Sequence, residues 1–424
     1  MMRITIRPSS LAITGGDPTV TGKPPAWPVV GDQEFSRMEA TMRSGKWSWH
    51  GPQETAFCEE YASFIGTKHC LCLANGTVTL QCALQAVGVV PGDEVIVPGL
   101  TWVATAQAAM DIGASVVLVD VDPEIWCIDP KAVEAAITPK TKAIIPVHLY
   151  GCMCNMDTIM SMARKYKLKV VEDVAHQHGS MWRDKRAGSI GDAGSFSFQQ
   201  SKILTSGEGG AVTCNDDEVY NIIHSLKQVG WAPDGRPGNR YGHNYRITEM
   251  QCVLLRGGLA RLDAQNKIRE ENACLIAEEL EKMGGPLRAA RRDPRVTCQA
   301  YYSQTLHFDP NTAGITRNQY MEALAAEGFG LLTPYPPVYR SPLLNLYDNT
   351  SPIPFRDPRQ VQNYASLRLP NVENIADSTG LLIFNNHLLG NKEYIGQIVN
   401  AIKKVNDNLA TARLYFKSNV GSRK

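Results

Sequence analysis

The chain has 424 residues, 43% hydrophobic and 20% charged, the balance of an ordinary soluble globular protein too long for one simple core. Its 43 Lys and Arg against 42 Asp and Glu leave a net charge of +1 with no long basic run, which argues against nucleic acid or an acidic membrane as partner. The opening "MMRITIRPSSLAITGGDPTVTG" lacks the apolar centre of a signal peptide, and no apolar run reaches membrane-spanning length, so a cytoplasmic protein is expected.

Residues 1–28, rich in Gly, Pro, Ser and Thr, read as an extended arm ending at "KPPAWPVV". Globular patterning follows. "QETAFCEEYASFIG" repeats apolar residues at helical spacing, "CLCLAN" is a short buried strand, and "TVTLQCALQAVGV" is helical again. Next come a strand at Glu94–Val97, a helix from about Thr101 to Ile112 and a strand at Ser115–Asp120. A helix near Pro130–Ile137, the strand "KAIIPVHLYG", the helix "NMDTIMSMARKYK" and the strand "KLKVVED" continue the alternation. Continuous Val/Ile strands separated by helices predict an α/β fold, with a mostly parallel central sheet covered by helices on both faces.

Beyond residue 216 the pattern gives a helix, a loop rich in Gly, Pro and Arg, and a long helix from about Thr248 to Met283. The expected division is a large unit over 29–265, a smaller C-terminal α+β domain over 266–412 with its linking helix, and a flexible tail over 413–424. Eleven cysteines are scattered through apolar segments. The pairs Cys70/Cys72 and Cys152/Cys154 lack a second CxxC or a His pair at zinc spacing, so reduced, buried thiols and no metal are expected.

In parallel sheets ligands gather beyond the C-terminal ends of the strands. After "CLCLAN", Gly76 and Thr77 open a helix, either as a simple capped turn or as an anion cradle. After "DEVIVPGL" stands Trp102, which either packs in the core or stacks on a flat ring. Asp173 ends "KVVED", where it either caps the next turn or pairs with a cation, and His176 follows. "GSFSF" leads to Ser197, Gln199, Gln200 and Lys202 before a glycine cluster. A lone lysine is ordinarily a surface residue, yet a sheltered one becomes a nucleophile.

Each signal is weak by itself; their order on one sheet describes a pyridoxal phosphate site. Gly76, Thr77 and Ser197 would hold the phosphate and Trp102 would cover a ring face. Asp173 would keep the pyridine nitrogen protonated, and Lys202 would form the Schiff base.

With these residues in view, the sequence resembles the sugar and cyclitol aminotransferases of the DegT/DnrJ/EryC1/StrS family, which are fold type I pyridoxal phosphate enzymes. "NGTVTLQCAL", "PGDEVIVPGLTWVATA", "VVEDVAHQHGS", "FSFQQSKILTSGEGGAV" and "GHNYRITEMQ" carry the resemblance over about residues 30–265, and weaker similarity continues to about 405. "FSFQQSK" and "PYPPVYRSPLL" look most like enzymes that aminate keto-cyclitols such as scyllo-inosose. "PPAWP" and "DVAHQHG" resemble the neighbouring aminohydroxybenzoate synthases, whose dehydrative reaction stays open alongside amination of a nucleotide keto-sugar.

The resemblance implies an aminotransferase that takes nitrogen from L-glutamine or L-glutamate and passes it to a keto-cyclitol or keto-sugar. It assigns Lys202 as the Schiff-base lysine, Asp173 as the pyridine partner and His176 as a neighbour of the ring hydroxyl. Asn244 would reach the phosphate of the neighbouring subunit's cofactor, implying a homodimer with shared sites. Gln200, Tyr335, Tyr339 and Arg340 are the candidate substrate residues. Two departures stand out: Tyr339 or Pro334 replaces a histidine common in the family, and Ser201 replaces a common glycine, tightening the turn before Lys202.

Overall fold

A computed structural model of the chain describes residues 11–49, 51–238, 240–344 and 362–418. Its strands are, in chain order, β1 (His69–Leu73), β2 (Glu94–Pro98), β3 (Ser115–Val119), β4 (Thr141–Ile144), β5 (Lys169–Asp173), β6 (Met181–Trp182) and β7 (Lys185–Arg186). They continue with β8 (Ala193–Ser197), β9 (Gly210–Cys214), β10 (Leu287–Ala289), β11 (Val296–Cys298), β12 (Ser303–Phe308) and β13 (Gly380–Phe384). The first helices are α1 (Asp32–Ser44), α2 (Pro52–Ile65), α3 (Gly76–Ala86), α4 (Ala104–Asp111), α5 (Pro130–Ala136), α6 (Met156–Tyr166), α7 (Asp217–Lys227) and α8 (Glu249–Met283).

Seven strands form one sheet in the order β1-β9-β8-β5-β4-β2-β3. Neighbours from β8 to β3 are parallel, and β9 alone runs antiparallel, between β1 and β8. β1, β2, β5, β8 and β9 each bury at least four consecutive residues. Successive residues of a strand face opposite sides, so such runs need cover on both faces. The fold is therefore the expected α/β type with a mostly parallel sheet.

One strand is shorter than its pattern. The run "KAIIPVHLYG" leaves the ladder at Ile144, because Pro146 has no N–H to donate, and only an isolated bridge from Val147 to Asp173 lies beyond it. The chain then bends through Tyr150, which takes a left-handed φ of 54°.

The long helix α8 starts where Thr248 and Gln251 make a reciprocal capping box. Leu255 and Leu262 pack into the core of the seven-stranded sheet, while Ala273, Ile276 and Leu280 enter a second hydrophobic cluster. That cluster holds the antiparallel sheet β10-β12-β13 and the helices Arg317–Ala326 and Lys392–Asp407.

The C-terminal end of the chain corrects the sequence reading. Where it is described, the arm expected over 1–28 packs on the C-terminal part of the chain. Leu11 and Val20 are buried in the second cluster, and Glu327 accepts hydrogen bonds from the Ala12 amide and the Thr19 hydroxyl at 2.8 Å each. The tail expected from 413 is instead helical to Ser418, because Phe416 has an apolar site to fill. Residues 1–10 and 419–424 lie outside the described residues. No described helix is long and apolar enough to cross a membrane.

Candidate active site

β1 ends at Leu73, and the chain turns through Asn75 into α3. Asn75 Oδ1 accepts the amides of Thr77 and Val78 at 3.1 and 3.0 Å. The capped-turn reading of "NGT" therefore holds, and two helix-start donors are already engaged. The cavity above draws on the Gly76 backbone and on the hydroxyls of Thr77 and Ser197. Gly76 is required by space: a Cβ there would stand 2.7 Å from Ser197 Cβ. The start of α3 and the end of β8 thus meet at a distance only glycine allows.

β8 passes through Ser197 into the turn that carries Lys202. The turn closes by Lys202 N–H to Gln199 carbonyl and Gln200 N–H to Gly207 carbonyl, each 2.8 Å. Gly207 and Gly209 have φ of 86° and 148°, conformations that side chains resist. Ser201, the departure noted above, is put to use. Its amide and hydroxyl donate to Gln199 Oε1 at 2.8 and 2.6 Å, and its oxygen lies 3.1 Å from Tyr302 Oη.

Lys202 is only 8% exposed, and burial lowers its pKa to about 8 against the opposing pull of the Asp173 charge. Asp173, also buried, is pushed up by desolvation, although the Ala175 amide and the Thr105 hydroxyl favour its charged form. Those donors hold the carboxylate at 3.2 and 2.8 Å. His176 stacks on Tyr302 with centroids 3.9 Å apart and planes 10° apart. Its Nδ1 accepts the Tyr150 amide at 3.1 Å, which leaves the ring proton on Nε2, 3.4 Å from Tyr335 Oη. Burial first, then the Lys202 charge, keeps this imidazole neutral well below its ordinary pKa.

These groups enclose a cavity of about 590 Å³ at the C-terminal ends of the sheet strands. Of the sequence candidates, Gly76, Thr77, Trp102, Asp173, His176, Ser197, Lys202 and Tyr335 line it. Trp102 is 57% exposed, its ring 5.4 Å from that of Tyr335. Three candidate substrate residues stand elsewhere. Gln200 is exposed, Tyr339 is buried with its hydroxyl on Glu373 at 2.6 Å, and Arg340 pairs with Asp377 at 2.7 and 2.9 Å. Asn244 is exposed, bridges Gln228 and is not among the residues that line this cavity.

Several cavity residues escaped the sequence reading. Gln199 faces the cavity where Gln200 was chosen. Thr105, which orients Asp173, follows Thr101 by one helical turn, a spacing that signals a shared face. Tyr302 arrives from a segment a hundred residues after Lys202, with no local signal.

A sheltered amine and a buried strand-end carboxylate in one cavity of such a sheet are the groups that an α/β enzyme gathers at its site. The chain belongs to the DegT/DnrJ/EryC1/StrS aminotransferase family, whose pattern matches residues 28–399. It is similar to the L-glutamine:2-deoxy-scyllo-inosose aminotransferase of Streptoalloteichus tenebrarius, at 39% identity over 355 residues, covering 79% of this chain and 83% of that protein. The L-glutamine:2-deoxy-scyllo-inosose aminotransferase of Micromonospora echinospora is 35% identical over 415 residues, covering 93% and 97%. Among solved structures, a 3-amino-5-hydroxybenzoic acid (AHBA) synthase superposes with a TM-score of 0.81 at 31% identity, covering 91% of this chain and 98% of that one.

Proposed function

We propose that this protein is a pyridoxal phosphate-dependent aminotransferase that moves the amino group of L-glutamine to the ketone of a cyclitol. The observation that carries the reading is the placement of Lys202 and Asp173 in one cavity, with burial lowering the pKa of the first and raising that of the second. The residues present fit the cofactor. The Gly76–Ser197 approach leaves room that a Cβ would fill, beside the hydroxyls of Thr77 and Ser197 suited to a phosphate. Asp173 suits a protonated ring nitrogen, and Trp102 presents a flat face at the mouth.

Bound there, the cofactor would supply the electron sink that makes the donor's α-proton removable. Lys202 Nζ, with a pKa near 8, carries enough neutral amine at physiological pH to take that proton and return it. Thr105 and the Ala175 amide fix the direction of the Asp173 carboxylate. His176 holds its one proton on Nε2, facing Tyr335. Glutamine as donor and an inosose-type ketone as acceptor are supported by the names of the two relatives.

Lys202 is the one Lys or Arg among the described residues lining the cavity, whose wall also carries Gln81, Gln107, Asp111, Gln199 and Glu208. That lining suits a neutral polyol better than a nucleotide diphosphate. The working unit in this reading is a homodimer in which the exposed Asn244 reaches the partner's cofactor phosphate.

Half-reactions test the proposal. L-Glutamine should bleach the yellow colour of the cofactor-loaded protein, and a keto-cyclitol should restore it. An unchanged visible spectrum, or restoration only by nucleotide-linked keto-sugars, rejects it.

A further inference from the structure

Away from the cavity, thiols converge from segments that are separate in sequence. Cys58 stands on α2, while Cys70 and Cys72 lie on β1, where a spacing of two puts both on one face of the strand. Their three sulfur atoms lie within 4.8 Å of one another, and Cys58 Sγ is 3.6 Å from Cys72 Sγ. Cys252, buried on α8, interacts with Cys72 from a third element. All four are free thiols, and the proposed amino transfer uses none of them.

We propose that Cys58, Cys70 and Cys72 form a zinc site, with Cys252, beside Cys72, as a further donor. The spacing carries the proposal. Zinc binds thiolates at about 2.3 Å in a tetrahedral shell, which sets neighbouring sulfurs about 3.8 Å apart. One separation, 3.6 Å, is close to that edge and none of the three exceeds 4.8 Å before any ion enters. An all-thiol set selects a soft ion over magnesium or calcium. Buried single cysteines ordinarily pack as small apolar side chains. Three that meet from a helix and a strand, with a fourth against them, are a donor set.

The surroundings also suit an ion. Three thiolates and one zinc carry a net charge of −1, and the buried Lys227 ammonium, paired with Glu54, acts on both Cys58 and Cys72. A cavity of about 310 Å³ lined by Glu54, Lys68, His69 and Lys227 opens onto Cys58 and Cys70, giving the ion a route in. His69, next to Cys70 on β1, faces the other side of the strand and is not part of the sulfur cluster. Binding exchanges three thiol protons, released to water, for three zinc–sulfur bonds, with no change of oxidation state. The ion would pin α2 to β1, the strand that feeds the Gly76 turn.

Zinc and cobalt(II) titrations of the full-length, cofactor-loaded protein test this independently of activity. Zinc should be retained stoichiometrically through gel filtration, and cobalt(II) should give an intense thiolate charge-transfer band. Cys58→Ser should lose both signals at unchanged circular dichroism, whereas Cys82→Ser, outside the cluster, should keep them. If Cys58→Ser does not fold, alkylation of the unmodified protein reads the same site: zinc should protect Cys58. The proposal falls if neither ion binds, if Cys58→Ser retains zinc in full, or if zinc leaves Cys58 alkylation unchanged.

Discussion

Lys202 places its ammonium nitrogen 4.7 Å from the centroid of the Tyr302 ring, and that ring lies flat against His176. The aromatic wall excludes water from the amine on that side. A π-face attracts a cation and alone would favour the charged form. Loss of hydration outweighs it here, since the net effect on Lys202 is a lowered pKa.

That balance makes Lys202 a stability liability with a definite pH signature. Its folded pKa, about 8, lies below the free-lysine value of about 10.4. Below pH 8 both states hold the proton, and the cost of burying it, on the order of 3 kcal/mol, is fully present. Between the two values the unfolded chain binds more protons, so stability rises with pH, and above them the cost is gone. Cofactor-free Lys202→Met should therefore be more stable than the parent at pH 7, by about that amount, with the gap narrowing above pH 8 and closing above about pH 11. Urea unfolding of both proteins across this range measures it; a gap independent of pH contradicts the assignment.

Lys202→Ala should lower kcat by about 10³-fold or more, since it removes both the nucleophile and the proton carrier. Asp173→Asn keeps the shape but loses the carboxylate, and a fall of about 10²–10³-fold is expected. Thr105→Val, which frees that carboxylate to rotate, should cost less than either. The visible spectrum separates the roles: Lys202→Ala alone should abolish the parent's absorbance band on cofactor loading.

Gly76→Ala puts a methyl 2.7 Å from Ser197 Cβ. The start of α3 must then move off β8, at about 1–3 kcal/mol. Retention of the cofactor through dialysis should fall with the thermal midpoint. An alanine variant that binds the cofactor as tightly as the parent would mean that this approach does not shape the anion site.

Glu172, next to Asp173, serves the scaffold. It is fully buried and accepts from His148 Nε2 at 3.1 Å and from the amides of Gly188, Ile190 and Gly191 at 3.0, 2.7 and 2.7 Å. Glu172→Gln should destabilise the fold by about 3 kcal/mol, with kcat nearly unchanged in the fraction that folds. Chemical denaturation set beside active-site titration checks both halves.

Much of the site was legible because a buried parallel strand announces itself as an unbroken apolar run. The residue that follows such a run lies at the ligand-binding edge of the sheet, so Gly76, Trp102, Asp173 and Ser197 could be placed by counting. Lys202 followed from the glycines that bend the chain after it. Gln199 and Gln200 show where counting stops: neighbouring turn residues diverge, and which one faces inward depends on the closing hydrogen bonds.

By itself, then, the sequence determined the sheet and which residues stand at its strand ends, because both follow from short-range periodicity. Only the tertiary structure decided that Tyr302 shelters Lys202, that Tyr339 and Arg340 turn to carboxylates outside the cavity, and that Cys58 meets Cys70 and Cys72. Those relations join residues on separate elements, and packing of elements, unlike periodicity within one, leaves no mark on neighbouring residues.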